Sequence, residues 1–138
     1  GAFNHAHPDQ NSFVIQAYGE NLAIDSGYYD YYYSEFDKNY TRRTYAHNAI
    51  TYNNGTGQEF NRDNNGEENL KLKGNIEGFI TTDIFDSVTG NAKESYGGEL
   101  DKIKRSIVYL RPDVFIVIDD LKYKNDEKAT FEFFLNGL

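Results

Sequence analysis

Apolar positions fall in short runs rich in β-branched and aromatic residues, bounded by Gly, Asn and Asp, and no long stripe of helical period is present. Ser12-Phe-Val-Ile-Gln-Ala-Tyr18 reads as a strand, Gly19-Glu20-Asn21 as a turn, and Leu22-Ala-Ile-Asp25 as the returning strand. Asn48-Ala-Ile-Thr-Tyr52 predicts another strand, closed by Asn53-Asn-Gly-Thr-Gly57. Residues 53–69 are polar and increasingly acidic, an exposed loop. Leu70 to Val88 holds one or two strands. Lys102 to Leu110 and Val114 to Leu121 flank Arg111-Pro112-Asp113, a tight hairpin signal, and Thr130 to Leu135 forms the last strand. Because Val114-Phe-Ile-Val-Ile118 is continuously apolar, its strand is expected to be central and covered on both faces. Strands at short spacing with turn chemistry between them predict one all-β domain over 1–138, an antiparallel β-sandwich. Residues 26–47 break the pattern. They begin with Tyr28-Tyr29-Asp30-Tyr31-Tyr32-Tyr33; a loop this long in a small domain is usually functional or disordered, and its many rigid aromatics favour function.

Composition narrows the function. The 138 residues carry 14 Lys and Arg against 22 Asp and Glu, a net charge of −8. No basic face for nucleic acid or anionic lipid is implied. No apolar run approaches the roughly 18 residues of a membrane span. Cysteine is absent, which excludes disulfides, thiolate nucleophiles and Cys-based zinc sites. The absence of Met, and an apolar run at the end, lead us to expect a segment of a longer protein.

The chain has three histidines. His5 and His7 share one face if their segment is extended. The hairpin that follows brings Asp25 back toward His7. His47 ends the tyrosine-rich loop. Two imidazoles and a carboxylate with an open fourth position make a zinc ligand set, and three surface histidines are the alternative. In the loop, phenols and the Arg42-Arg43 pair suit a sugar acid: rings stack on sugar faces and guanidinium grips carboxylate or sulfate. The alternative is that these rings pack on the sandwich. Asp63-Asn64-Asn65-Gly66-Glu67-Glu68 lacks the alternating ligand spacing of an EF-hand. Asn39-Tyr40-Thr41 and Asn54-Gly55-Thr56 match the glycosylation sequon.

The order of motifs is itself informative. Asn4-His5-Ala6-His7-Pro8-Asp9-Gln10-Asn11-Ser12-Phe13 precedes Gly19-Glu20 and Leu22-Ala23-Ile24-Asp25-Ser26-Gly27, and then come Tyr40, Arg42, Thr44 and Ala46-His47-Asn48. This series, with Arg105 and the Tyr109-to-Asp119 hairpin, resembles the β-domain of heparinase II/III-like polysaccharide lyases, a group of heparinases and related alginate lyases. The resemblance implies an N-terminal helical toroid packed on a C-terminal β-sandwich. It also implies β-eliminative cleavage of uronic-acid-containing polysaccharides, of the heparin, heparan sulfate or alginate type, in the cleft between the two. By the same resemblance His7, Asp25 and His47 hold a structural zinc ion. His5, with Tyr33 or Tyr40, serves catalysis, and Asn4, Arg42 and Arg43 contact substrate. A periplasmic or secreted location follows from the family alone. No segment here resembles the toroid, which supplies the rest of the family's catalytic set. The toroid is therefore the expected partner domain in the parent chain, and the 138 residues alone are expected to be inactive. A non-catalytic carbohydrate-binding module is the competing reading. A cupin-like metal oxygenase would want a glutamate a few residues after the His pair, where Asp9 and Glu20 do not fit.

Overall fold

The computed structural model describes residues 6–26, 30–60 and 71–137. Eight antiparallel strands dominate: β1 (Ile15–Ala17), β2 (Glu20–Ala23), β3 (Ile50–Tyr52), β4 (Asn75–Thr81), β5 (Phe85–Asn91), β6 (Leu100–Leu110), β7 (Val114–Tyr123) and β8 (Phe131–Phe133). The largest sheet has the order β4-β5-β6-β7, built by successive hairpins, and β1-β2 and β3-β8 form two-stranded sheets. The fold is the all-β sandwich that the strand pattern predicts.

The core lies between one face of the large sheet and the β3–β8 pair. Ile50, Tyr52, Ala92, Tyr96, Leu100 and Ile103 are buried together, with Leu121, Tyr123 and Phe131 packed against them. β3 and β8 are far apart in sequence yet in register from Ile50–Phe133 to Tyr52–Phe131. The Tyr96 hydroxyl fastens the layers by donating to Ile50 O at 2.7 Å.

The first hairpin turns one residue pair earlier than the sequence pattern suggests. Tyr18 (φ 55°) and Gly19 (φ 81°) both take positive φ, the geometry of a two-residue turn whose twist matches the strands, so β2 begins at Glu20 rather than Leu22. β7 also departs from expectation. It lies at an edge of the large sheet, and Val114, Ile116 and Ile118 alternate outward at 46, 42 and 53% exposure. The apolar run therefore half-buries Phe115 and Val117 and leaves Val114, Ile116 and Ile118 uncovered among the described residues.

The tyrosine-rich loop is ordered by a buried carboxylate. Ser34 Oγ accepts from Asp37 N at 2.9 Å while Asp37 Oδ2 accepts from Tyr33 N at 2.9 Å, two bonds that tie the chain ahead of a helical turn to the first residue of that turn. That turn runs Asp37–Thr41, and a second runs Thr44–Ala46. Together they deliver residue 47 to the head of β3.

Candidate metal and substrate site

His7, Asp25 and His47 come from three separate segments and meet at one place. The His7 and His47 rings lie 5.2 Å apart between centroids, tilted by 50°. His47 Nδ1 is 2.5 Å from Asp25 Oδ1. A carboxylate only accepts, so Nδ1 donates, and in the neutral imidazole that makes Nε2 the lone-pair nitrogen. Nε2 is buried with no hydrogen-bond partner among the described residues. An orphaned polar atom inside a protein is costly, and it marks where a ligand would be welcome. Burial pushes the His7 pKa down, as do the neighbouring His47 and Arg42, while Asp9 and Asp25 oppose the shift. Burial thereby favours the neutral His7 ring.

Imidazole and carboxylate are donors that zinc accepts, so the side chains present fit the ion chemically. As they stand they do not form a closed cage: among the described residues no three His, Asp or Glu side chains are arranged to hold an ion. Asp25 spends its oxygen on His47 Nδ1 and remains 55% exposed, whereas His47 is 2% exposed.

The segment bearing His7 is held by polar contacts rather than by a sheet. Thr44 Oγ1 donates to Pro8 O at 3.0 Å and accepts from Gln58 N at 2.8 Å. Gln58 pairs with Gln10 in both directions, accepting from Gln10 N at 2.9 Å and donating to Gln10 O at 2.8 Å. Gly57 makes this possible: a Cβ there would lie 2.4 Å from Thr44 Oγ1.

Beside this cluster opens a cleft of about 1330 Å³, whose walls include Tyr33, Lys38, Arg42, Arg43, Gln58 and Lys71. Arg43 is exposed there. Arg42 reaches the same wall, yet its guanidinium is 3% exposed and works inward. Its Nε donates to Asp37 Oδ1 at 3.0 Å, its Nη1 approaches Ala6 O at 3.4 Å, and its Cζ sits 5.1 Å from the Tyr32 ring. Its first task is to fasten residue 6 to the loop. Tyr33, at positive φ (73°) and 46% exposed, lines the cleft. Tyr40 is half-buried, stacked on Phe36 at 5.2 Å and tilted against Tyr45 at 5.9 Å. Asn4 and His5 lie outside the described residues, as do 61–69 of the acidic loop. Of the supporting residues, Thr44 and Asn48 stand in the motif series that carries the resemblance but without an assigned role, while Asp37 and Gln58 carry no signal of chemistry in the sequence.

Comparison with known proteins adds the family. A search of curated proteins returns no match. Residues 1–137, all but the last residue, match the family model described as Heparinase II/III-like, C-terminal. With the all-β fold and the His7, Asp25 and His47 segments converging at one site, that coverage places the chain in the Heparinase II/III-like, C-terminal family.

Proposed function

We propose that this domain forms one wall of the active site of a polysaccharide lyase that cleaves uronic-acid-containing polymers by β-elimination, with a structural zinc ion held by His7, Asp25 and His47. The observation that carries the reading is the buried His47 Nε2, without a hydrogen-bond partner among the described residues and in a ring 5.2 Å from that of His7, whose chain neighbour Pro8 lines the cleft with Lys38, Arg43 and Lys71. Zinc there would supply a clip, tying the loop ends at Asp25 and His47 to the His7 segment and removing loop-closure entropy.

The chain's own residues do the rest. In β-elimination the C5–H and C4–O bonds break and a C4=C5 double bond forms, so the site must stabilise charge on the uronate, take a proton and return one to the departing oxygen. Arg43 and Lys71 offer cations to the carboxylate, and long Arg and Lys stems allow this on an otherwise acidic protein because the local field governs binding. Tyr33 presents a phenol to the cleft and is the better placed of the two tyrosines for proton transfer, while Tyr40 braces the loop. His5 stands beside His7 in sequence and is assigned to catalysis by the family resemblance. A helical domain of the parent chain would close the other wall, and a periplasmic or secreted location goes with the same reading.

The test is to incubate the intact protein with uronate polymers and follow ultraviolet absorbance from the unsaturated product, with metal analysis of the same preparation. Product formation that falls in Tyr33→Phe more than in Tyr40→Phe, with about one zinc per chain, is expected. Saturable polymer binding with no unsaturated product from any uronate polymer would make the domain a carbohydrate-binding module instead.

A further inference from the structure

The side chain of Asn48 is fully engaged in a way its neighbour His47 does not explain. Its Nδ2 donates to Phe13 O at 2.7 Å and to Ile24 O at 2.8 Å, and its Oδ1 accepts from Asn136 N at 2.6 Å. Both donors are used and the carbonyl is occupied, at 1% exposure. The two accepting carbonyls belong to the other two segments of the site. Ile24 immediately precedes Asp25, and Phe13 lies on the stretch leading from His7 into β1. Asn48 itself immediately follows His47. One carboxamide thus binds together the three pieces of chain that carry His7, Asp25 and His47.

Its main chain is held from the opposite side. Arg105 Nη1 donates to Asn48 O at 2.6 Å and to Asn11 O at 2.9 Å. Arg105 cannot drift, because Asp119 grips it at 2.7 and 3.0 Å and the Phe13 and Phe133 rings flank it at 5.3 and 5.0 Å.

We propose that Asn48 is the positioning residue of the site: its carboxamide sets the spacing of the Asp25 and His47 backbones, so that Asp25 stays on His47 Nδ1 and Nε2 stays presented toward His7. The inference rests on the reading of His7, Asp25 and His47 as the working centre. No other residue type of this size fits. Asp would turn an acceptor toward two carbonyl oxygens, and Ser or Ala reaches neither. Outer groups that orient a metal-bound imidazole are worth roughly 10–100-fold in metal affinity.

The experiment compares Asn48→Asp, Asn48→Ser and Asn48→Ala in the intact protein with Ser95→Ala. Ser95 Oγ donates to Leu72 O at 3.2 Å, a part-buried bond that involves none of His7, Asp25, His47 or Asn48, so this control loses stability without touching the staple. Zinc affinity is measured by chelator competition, and the His47 tautomer by nitrogen-15 shifts in metal-free protein at fixed mildly alkaline pH. The Asn48 variants are expected to stay folded by circular dichroism and to bind zinc at least ~10-fold more weakly, while Ser95→Ala stays within about threefold. In the wild type His47 should be a single Nδ1–H tautomer, and in the variants a mixture. If the wild type binds no zinc, the metal reading fails, and the tautomer comparison still decides the role of Asn48. Unchanged tautomer and affinity in the Asn48 variants overturn the proposal. So does an equal loss in Ser95→Ala, or a failure of all three variants to fold, which would make the amide a support of the whole domain.

Discussion

Arg105→Met tests whether the site is anchored as the structure indicates. The guanidinium is 3% exposed and its partner Asp119 is 16% exposed, so methionine keeps the volume and removes only the charge and its hydrogen bonds. Asp119 would be left half of a broken buried pair, and the carbonyls of Asn11 and Asn48 would each lose a charged donor. Breaking such a pair costs about 3–5 kcal/mol. At roughly 2.1 cal/mol/K per residue, 138 residues have an unfolding entropy near 0.29 kcal/mol/K, so a cost of about 4 kcal/mol lowers Tm by about 14 °C. Calorimetry or a circular dichroism melt reads this directly. The double variant Arg105→Met with Asp119→Leu should recover much of the loss, because replacing both charges by apolar groups is close to neutral where removing one is not. A drop of less than about 3 °C for the single variant, or no recovery in the double, would show that Arg105 does not bear on the site.

Three further outcomes follow. Gly57→Ala places a methyl 2.4 Å from Thr44 Oγ1, forcing Thr44 off Pro8, and a loss of about 1–3 kcal/mol in denaturant unfolding is expected, with Ser at the same position no better. Arg42→Ala and Arg43→Ala should part company: the first strands Asp37, which is 0% exposed, and costs several kcal/mol, whereas the second shifts stability by no more than about 0.5 kcal/mol and weakens binding of acidic oligosaccharides measured by calorimetry. Tyr96 is held well above the ordinary phenol pKa, first of all by burial. A raised folded pKa gives stability that is whole below about pH 10 and is lost as pH climbs above it, so Tyr96→Phe should flatten the alkaline limb of the unfolding free energy while lowering the neutral value by about 1 kcal/mol.

What could be read from the sequence was what is local. The hairpin at Arg111-Pro112-Asp113 lies between paired residues Leu110 and Val114, because turn chemistry and flanking β-branched runs act over a few residues. Asp25 is carried back past the start of β1 for a similar reason, because the β1–β2 hairpin is local. Other features depend on partners distant in the chain. β3 finds β8 across some eighty residues, and the pattern of Ile50-Thr51-Tyr52 does not say which strand will claim it. Val114 to Ile118 reads as central from its apolar continuity, yet neighbours set strand order, and a period of two with both faces apolar cannot tell an edge from a centre.

Arg42 shows the limit most sharply. Beside Arg43, in a loop of tyrosines, both arginines read as cations for a sugar acid. The difference lies in Asp37, whose carboxylate is turned inward by Ser34 and Tyr33 N and then requires a cation of its own. A buried carboxylate left alone would cost several kcal/mol, so the fold claims Arg42 before any ligand can. The same logic separates His47 from Asn48. Every polar atom of the Asn48 side chain is satisfied by the protein, which marks it as support, while His47 keeps one buried nitrogen that the described protein does not satisfy. Adjacent residues of similar polarity are thus divided by what remains unpaired after folding, and that remainder is where function is to be sought.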